Sequence, residues 1–156
     1  MSNDFWSGRI AFSSQDKTWR TPHTLFNSLN QEFSFTVDAA ALQCSALTDV
    51  WYGPDHQDPA RRDCLIQDWG SDSGGGWIFM NPPYGRGIGK FMAKAVEQHL
   101  AGCRVVCLVP ARTDTAWWHD YVMPYASDIR FIRGRLKFND GPNAAPFPSA
   151  IVVYGN

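Results

Sequence analysis

The chain has 156 residues, of which 44% are hydrophobic and 19% are charged, proportions that indicate one globular domain and exclude a disordered segment or a coiled coil. Its apolar runs are far shorter than the roughly 20 residues that span a bilayer, and no basic, apolar leader opens the chain, so we expect a cytoplasmic protein. The formal net charge of −1 argues against a protein that binds DNA by overall charge alone.

The charges are divided unevenly along the chain. Residues 1–85 carry five Lys/Arg and ten Asp/Glu, whereas residues 86–156 carry nine and five. A basic half can face phosphates, although solvated surface charge is the simpler explanation. The four cysteines lack the spacing of a zinc knuckle, and Cys103 and Cys107 flank an apolar run, so we predict buried free thiols and no metal site.

The first half of the chain begins with an irregular arm and continues with short alternating elements. Thr21-Pro22 predicts a helix start, with Thr21 as the N-cap and Pro22 at the first helical position. The predicted elements are an N-terminal arm over residues 1–20, a helix to about residue 30, a strand over 33–37 that ends at Asp38, a short helix over 39–46, a strand over 50–52 and a polar loop over 53–62.

The second half has stronger periodic patterns. The glycine-rich run at 70–76 predicts a flexible turn. The strand predicted over 104–109 is apolar without interruption from residue 105 onward, which is typical of a strand buried on both faces. The remaining predicted elements are strands over 77–80, 129–132 and 150–154 and helices over 88–100 and from 114 to about 121. Strands and helices alternate, which predicts an α/β protein with a mainly parallel sheet and a ligand site beyond the carboxyl ends of its strands.

The motif Asn81-Pro82-Pro83-Tyr84 directly follows one of these buried strands. Two prolines fix two φ angles and remove two N–H donors, so the local carbonyls and the Asn81 side-chain oxygen can accept hydrogen bonds from one planar amino group. The Tyr84 ring can then stack on the heterocycle that bears the amine. Out of context the same four residues are typical of an ordinary turn, but their position between a strand and a helix favours a site for amine methylation.

Several stretches of the chain resemble the phage-type DNA N-6-adenine methyltransferases, a family of S-adenosylmethionine-dependent enzymes. Beside the NPPY element, they are TWRTPHTLFNSLNQEFSFTVDAAA at 18–41, IFMNPPYGRGIGKFMAKAVE at 78–97, VCLVPARTDTAWWHDYV at 106–122, IRFIRGRLKF at 129–138 and FPSAIVVY at 147–154. The resemblance implies a Rossmann-like class I methyltransferase fold, a mainly parallel sheet with an antiparallel last strand. It further implies one methyltransferase domain over residues 21–156, without a separate target-recognition domain.

The resemblance also implies contacts to S-adenosylmethionine. Thr21, Pro22 and Asn81 would lie at its methionine end, and the carboxylate of Asp38, followed by Ala39, would hold the ammonium group. Here the run Asp-Ala-Ala-Ala replaces the usual glycine-rich turn, and the same residues are typical of a strand-to-helix junction. Asp63, Leu65 and Trp69 resemble the stretch that receives the adenine ring, with Asp68 an equal alternative to Asp63; a surface helix explains these residues as well.

The basic residues of the second half are the candidate DNA contacts. Arg130, Arg133, Arg135 and Lys137 alternate with apolar residues and can track a phosphate backbone, although a solvated strand face has the same pattern. Arg86 and Arg112 lie in loops that follow predicted buried strands. The expected partner is DNA, with the target base flipped into the pocket, and sequence recognition is either short or shared with a second copy of the chain in a homodimer.

These observations together predict an enzyme that methylates the N6 amine of adenine in DNA, in a bacterial host's cytoplasm if the chain is encoded by a phage. Other exocyclic amines or amides stay open as alternatives, namely cytosine N4, an RNA base or a protein glutamine, because the NPPY element serves several of them. A binding protein without turnover on the same fold is the alternative of another class.

Overall fold

A computed structural model of the chain describes residues 19–156, so the predicted N-terminal arm lies outside the described residues except for Trp19 and Arg20. The helices are α1 (His23–Phe33), α2 (Trp69–Ser73) and α3 (Ile88–Leu100). The strands are β1 (Phe35–Asp38), β2 (Val50–Trp51), β3 (Trp77–Met80), β4 (Arg104–Pro110), β5 (Asp128–Phe131) and β6 (Ser149–Tyr154). Short 3-10 turns cover Pro59–Arg61, Cys64–Ile66 and Phe138–Asp140, and Trp118–Val122 is one π-helical turn.

The six strands form one sheet in the order β2-β1-β3-β4-β6-β5. β2, β1, β3 and β4 are parallel, whereas β6 is antiparallel to both of its neighbours, β4 and β5. The mixed α/β architecture, the mainly parallel sheet and the antiparallel last strand are therefore confirmed. Since parallel strands end at the same edge of a sheet, Asp38, Met80 and Pro110 bring the loops after β1, β3 and β4 together.

Two apolar layers cover the two faces of the sheet. Alternate residues of β4 point to opposite faces, so Val105 and Cys107 belong to one layer while Val106 and Leu108 belong to the other. The first layer packs against α3 and the buried Trp69 of α2, and the second packs against α1. Because both faces are covered, β4 is the uninterrupted apolar run that the sequence shows.

Most elements agree with the predicted ones, and the two bounds of both β3 and α3 are as predicted. The short helix predicted over residues 39–46 is wrong, because this segment is extended and turned. Ala39 N donates to Phe79 O at 2.8 Å and Ala41 N donates to Tyr52 O at 2.9 Å. These two bonds tie the segment to β3 and to the residue after β2. The N–H groups of Ala39 and Ala41 are therefore not available for helical hydrogen bonds.

Three further local predictions need correction. Residues 70–76 are not simply a flexible turn, because Asp68 caps the short helix α2 by accepting from Gly70 N and Ser71 N. The helix predicted from residue 114 to 121 is confined to residues 116–122, mainly as the π-helical turn. Thr21 is not the N-cap of α1: Pro22 occupies that position, and the Thr21 hydroxyl accepts from Asn81 instead. No helix of the described residues is long and apolar enough to cross a membrane.

Candidate active site

The Asn81 side chain lies immediately after β3 and is oriented by a distant part of the chain. Its Nδ2 donates to the carbonyl oxygen of Trp19 at 2.6 Å and to the Thr21 hydroxyl at 3.1 Å. Since a backbone carbonyl can only accept, the atom facing Trp19 must be the amide nitrogen, which fixes which way the amide points. The Oδ1 atom therefore faces away; it is buried and has no hydrogen-bond partner among the described residues.

A buried acceptor without a donor costs free energy, since water is lost and nothing replaces it. Asn81 Oδ1 can therefore accept a hydrogen bond from an N–H group that comes within its reach. Pro82 and Pro83 follow it and contribute no N–H donors of their own, so they do not compete for the same oxygen.

Tyr84 is anchored to the strand next to β3. Its hydroxyl donates to Leu108 O in β4 at 3.1 Å, and burial raises the pKa of the phenol well above its usual value. The ring meets Phe138 and Phe147 edge-on, with centroids 6.0 and 5.5 Å away. These contacts hold the ring rigidly beside Asn81, and a half-buried ring retains surface on which a base can stack.

Asp38 is a buried acidic residue at the carboxyl edge of the parallel strands. At the carboxyl end of β1 it is 2% exposed, and its two oxygens accept from Ala40 N at 3.4 Å and Leu47 N at 3.2 Å. Burial raises the pKa of the carboxyl group to about 7, an effect that exceeds the opposing one of the two backbone N–H groups. None of the ion pairs within residues 19–156 includes Asp38, so a cation that binds here would stabilise its charged form.

A cavity of about 220 Å³ lies beside this edge, next to the segment that holds Asn81. Its lining joins the start of α1 with the loop after β1 and the turn at 138–140: Arg20, Thr21, His23, residues 44–47, Asn139 and Asp140. Leu47 lines the cavity, and its backbone N–H donates to Asp38. The buried carboxylate is therefore separated from the cavity by Leu47. The cavity thus has polar walls of both charges, suited to a zwitterionic ligand.

The other predicted cofactor residues have packing or capping roles in the fold. Pro22 and Ala39 are buried, and Ala39 N binds the end of β3. Asp63 is an exposed cap whose side chain accepts from Leu65 N, and Leu65 packs partly against the core. Asp68 caps α2, and Trp69 is fully buried with its indole N–H on Cys64 O. Trp69 is therefore a core residue, which corrects its suggested place beside an adenine ring.

The candidate DNA contacts separate into free and paired cations. Arg130 pairs with Glu32 at 2.6 Å and with Asp128 at 2.8 Å, so its suggested role on a phosphate backbone is corrected. The other five are exposed and belong to none of the ion pairs within residues 19–156: Arg86, Arg112, Arg133, Arg135 and Lys137. β5 ends at Phe131, so residues 133–137 form an irregular segment rather than a strand face.

Two contributors to the site were missed by the sequence analysis. One is the carbonyl of Trp19, 62 residues from Asn81, and the other is the backbone N–H of Leu47 on Asp38. Both act through the main chain, which every residue type has, so neither leaves a signal in the sequence. Within residues 19–156 no group of three or more His, Cys, Asp and Glu residues is placed to hold a metal ion.

The chain has a mixed α/β fold with an amide and a buried carboxylate at the carboxyl edge of its parallel strands, and comparison with known proteins identifies its family. The model of the DNA N-6-adenine-methyltransferase (Dam) family matches residues 9–149, and the chain belongs to this family. A curated relative, the DNA N-6-adenine-methyltransferase of Escherichia phage T1, is 29% identical over 119 residues. The match covers 76% of the chain and 45% of that relative, so the chain spans less than half the relative's length.

Proposed function

We propose that the protein transfers a methyl group from S-adenosylmethionine to the N6 amine of adenine in DNA. Membership of the Dam family and the likeness to the phage T1 protein support this activity. The sheet order with its antiparallel β6 supports a Rossmann-like class I methyltransferase fold. The phage relative also supports action in the cytoplasm of a bacterial host.

The observation that carries the proposal is the buried Oδ1 of Asn81, which has no hydrogen-bond partner within residues 19–156. An exocyclic amine donates through its N–H groups, and an acceptor at Oδ1 would orient it and draw its lone pair out of conjugation with the ring. The Pro82 carbonyl is the proposed second acceptor. The amine nitrogen becomes more positive as the new N–C bond forms, so this hydrogen bond strengthens in the transition state.

When bound, S-adenosylmethionine supplies an electrophilic methyl group on a sulfonium. Asp38 would offer a buried carboxylate to its ammonium, and Thr21, which lines the cavity, would border its methionine end together with Pro22, Ala39 and Asn81. The cavity beside Thr21 and Leu47 has a volume that suits the amino-acid end of such a ligand. Asp63 or Asp68 would accept from the adenine amine of the cofactor, and Leu65 would pack on its ring.

The DNA would lie along the exposed cations, with the target adenine flipped out of the duplex. The proposed phosphate contacts are Arg86, Arg112, Arg133, Arg135 and Lys137, since exposed cations that neutralise phosphates release the counterions condensed on the DNA. Tyr84 would receive the flipped ring by stacking. Taking the base out of the stack frees the amine from its base-pairing partner, so that Asn81 can accept from it.

Mass spectrometry of nucleosides tests the proposal most directly. DNA from cells that express the chain should contain N6-methyladenine, and DNA from cells that express the Asn81→Ala variant should not. N4-methylcytosine in place of N6-methyladenine would assign the enzyme to the other amine. No methylated base, with calorimetry showing that the purified protein binds S-adenosylmethionine, would mean that the fold binds the cofactor without turning over DNA.

A further inference from the structure

The turn at residues 138–140 grips the chain segment at residues 19–23. Asn139 Oδ1 accepts from Arg20 N at 2.8 Å, and Asn139 N donates to Arg20 O at 2.9 Å. Asp140 Oδ1 accepts from His23 N at 3.1 Å, and Asp140 Oδ2 lies 2.6 Å from His23 Nδ1. We call these four residues, Arg20, His23, Asn139 and Asp140, the clasp.

The clasp is built on an uncommon backbone. Asn139 and Asp140 have φ angles of 62° and 52°, in the left-handed region that residues other than glycine rarely adopt. Asn and Asp tolerate this region best, and the surroundings keep it occupied here. Phe138, the residue before them, is buried and meets the Trp19 ring edge-on at 5.4 Å. Such a conformation in a packed turn suggests a functional reason for it.

The segment that the clasp grips is the one that orients Asn81. Both acceptors of Asn81 Nδ2, the Trp19 carbonyl and the Thr21 hydroxyl, flank Arg20 in the chain. Residues 19–21 precede Pro22, the N-cap of α1, whose carbonyl accepts from Phe26 N at 3.0 Å, so these three residues lie outside the helical hydrogen bonding. The two backbone–side-chain pairings at Asn139 and Asp140 therefore bracket this segment and hold both acceptors at the distance that the amide needs.

We infer that Asn139 and Asp140 are positioning residues that act through the segment 19–23 to keep the Asn81 oxygen directed at the target amine. This inference rests on the proposed function of Asn81. The clasp residues also line the cavity proposed for the cofactor, so one structure borders both reactants. A small misplacement of a catalytic group lowers the rate strongly, which is why a remote turn can matter for turnover.

Two variants remove the clasp in different ways. Asn139→Gly keeps the left-handed turn, which glycine adopts readily, but removes the oxygen that Arg20 N binds. Asp140→Ala removes both contacts to His23. With cofactor saturating, we expect each to lower kcat by about tenfold and to change the KM for DNA by less than about twofold. Asp140→Asn retains an oxygen for His23 N and should restore most of the rate.

The matched control is Glu32→Ala, which breaks a comparable surface pairing, that of Glu32 with Arg130 at 2.6 Å, on the last turn of α1. It should leave kcat unchanged. A second readout follows the Asn81 side-chain amide by NMR in the protein without DNA. Its protons are bonded to Trp19 O and Thr21, so they should exchange with solvent about tenfold faster in Asn139→Gly and Asp140→Ala, but not in Glu32→Ala.

Unchanged exchange of the Asn81 amide in both clasp variants would overturn the inference, even if their kcat fell, because the loss would then reach the reaction by another route. Unchanged kcat in both variants would overturn it as well. If the parent protein transfers no methyl group, the proposed function fails, and the amide exchange alone then decides whether the clasp orients Asn81.

Discussion

The two polar atoms of the Asn81 side-chain amide differ in their hydrogen bonding. The nitrogen donates to Trp19 and Thr21, and the oxygen is buried with no donor in the described part of the chain. An Asn side chain is suited to this division because it is both donor and acceptor, whereas a carboxylate could not donate to the Trp19 carbonyl. The amide is therefore oriented before any substrate binds.

Replacing Asn81 should affect turnover much more than folding. Asn81→Ala removes an acceptor that strengthens as the amine gains positive charge, so we expect kcat to fall by about 10² to 10³, or roughly 3–4 kcal/mol, as for the loss of an oxyanion-hole donor. Single-turnover methyl transfer to an adenine-containing duplex measures this, with cofactor binding by calorimetry as the control for folding. Near-parental transfer by the folded variant would contradict the proposed mechanism.

The pKa of Asp38 couples its charge to stability. The folded-state pKa of about 7 lies above the ordinary value of 3.8, so the folded protein binds the extra proton between these pH values and loses stability as the pH rises through this window. The Asp38→Asn variant has no such titration. Between pH 5 and 8 the free energy of unfolding of the parent, from denaturant titrations, should therefore fall relative to that of the variant by on the order of 2–3 kcal/mol. A pH-independent difference would contradict the raised pKa.

Cofactor binding should respond to pH in the opposite direction. The ammonium of S-adenosylmethionine needs the charged carboxylate, so affinity should rise as the pH increases through about 7. Asp38→Asn should weaken binding by about tenfold or more at pH 8, or roughly 1.4 kcal/mol. Calorimetry at pH 6 and 8 measures both effects, and equal affinities for parent and variant at pH 8 would remove Asp38 from the cofactor site.

At the scale of elements, the loops after β1 and β2 pack together through a close backbone contact between Gly53 and Ala41. An added Cβ at Gly53 would lie 1.7 Å from the Ala41 carbonyl oxygen, so a side chain there must displace the backbone that follows Asp38. Gly53→Ala should destabilise the protein by about 2–3 kcal/mol and weaken cofactor binding with it. Gly87→Ala is the control, because nothing lies within 4 Å of its Cβ. Thermal unfolding distinguishes the two, and equal effects would contradict this account of the loop.

The irregular segment after β5 carries the cations proposed to bind phosphates. Arg133→Ala and Arg135→Ala should each weaken DNA binding whatever the sequence and lower the salt-dependence slope by about one. Arg130→Ala removes the same charge, but Arg130 is paired with Glu32 and Asp128, so its slope should equal that of the parent. Binding isotherms at several salt concentrations measure this. Equal slopes for all three variants would indicate a general charge effect rather than phosphate contacts.

At the scale of the whole molecule, β6 joins the edge strand β5 to the parallel part of the sheet. It lies between β4 and β5, is buried along its whole length, and pairs with partners from the middle of the chain. We therefore propose that residues 21–156 fold as a single domain and lose their structure in one transition. If β6 leaves, β5 loses its sheet partner and β4 retains only β3.

A buried charge in β6 tests this cooperativity. Val152 is fully buried opposite Cys107, so Val152→Asp should unfold the site as well as the C-terminal strands, since an unpaired buried carboxylate costs several kcal/mol. Met123→Asp is the control, because Met123 is 58% exposed. Calorimetry of the parent should show one transition with equal calorimetric and van't Hoff enthalpies. Two separate transitions would contradict the single domain.

The sequence by itself determined those helices and strands whose burial is recorded in a local pattern of apolar residues. The apolar stripe of α3 and the uninterrupted apolar runs of β3 and β4 record burial directly, so their bounds were predicted to within a residue. The NPPY motif was likewise expected after β3, and Asn81 follows that strand directly. These predictions succeeded because each depends on neighbours within a few residues along the chain.

The tertiary structure alone decided what those site residues contact. The loop after Asp38 is extended rather than helical because it is bonded to Phe79 and Tyr52, and Arg130 is neutralised by Glu32, 98 residues away. The amide of Asn81 takes its direction from a backbone carbonyl 62 residues earlier. Contacts between distant residues leave no periodic pattern, and those made by the main chain do not depend on residue type, so only the folded chain reveals them.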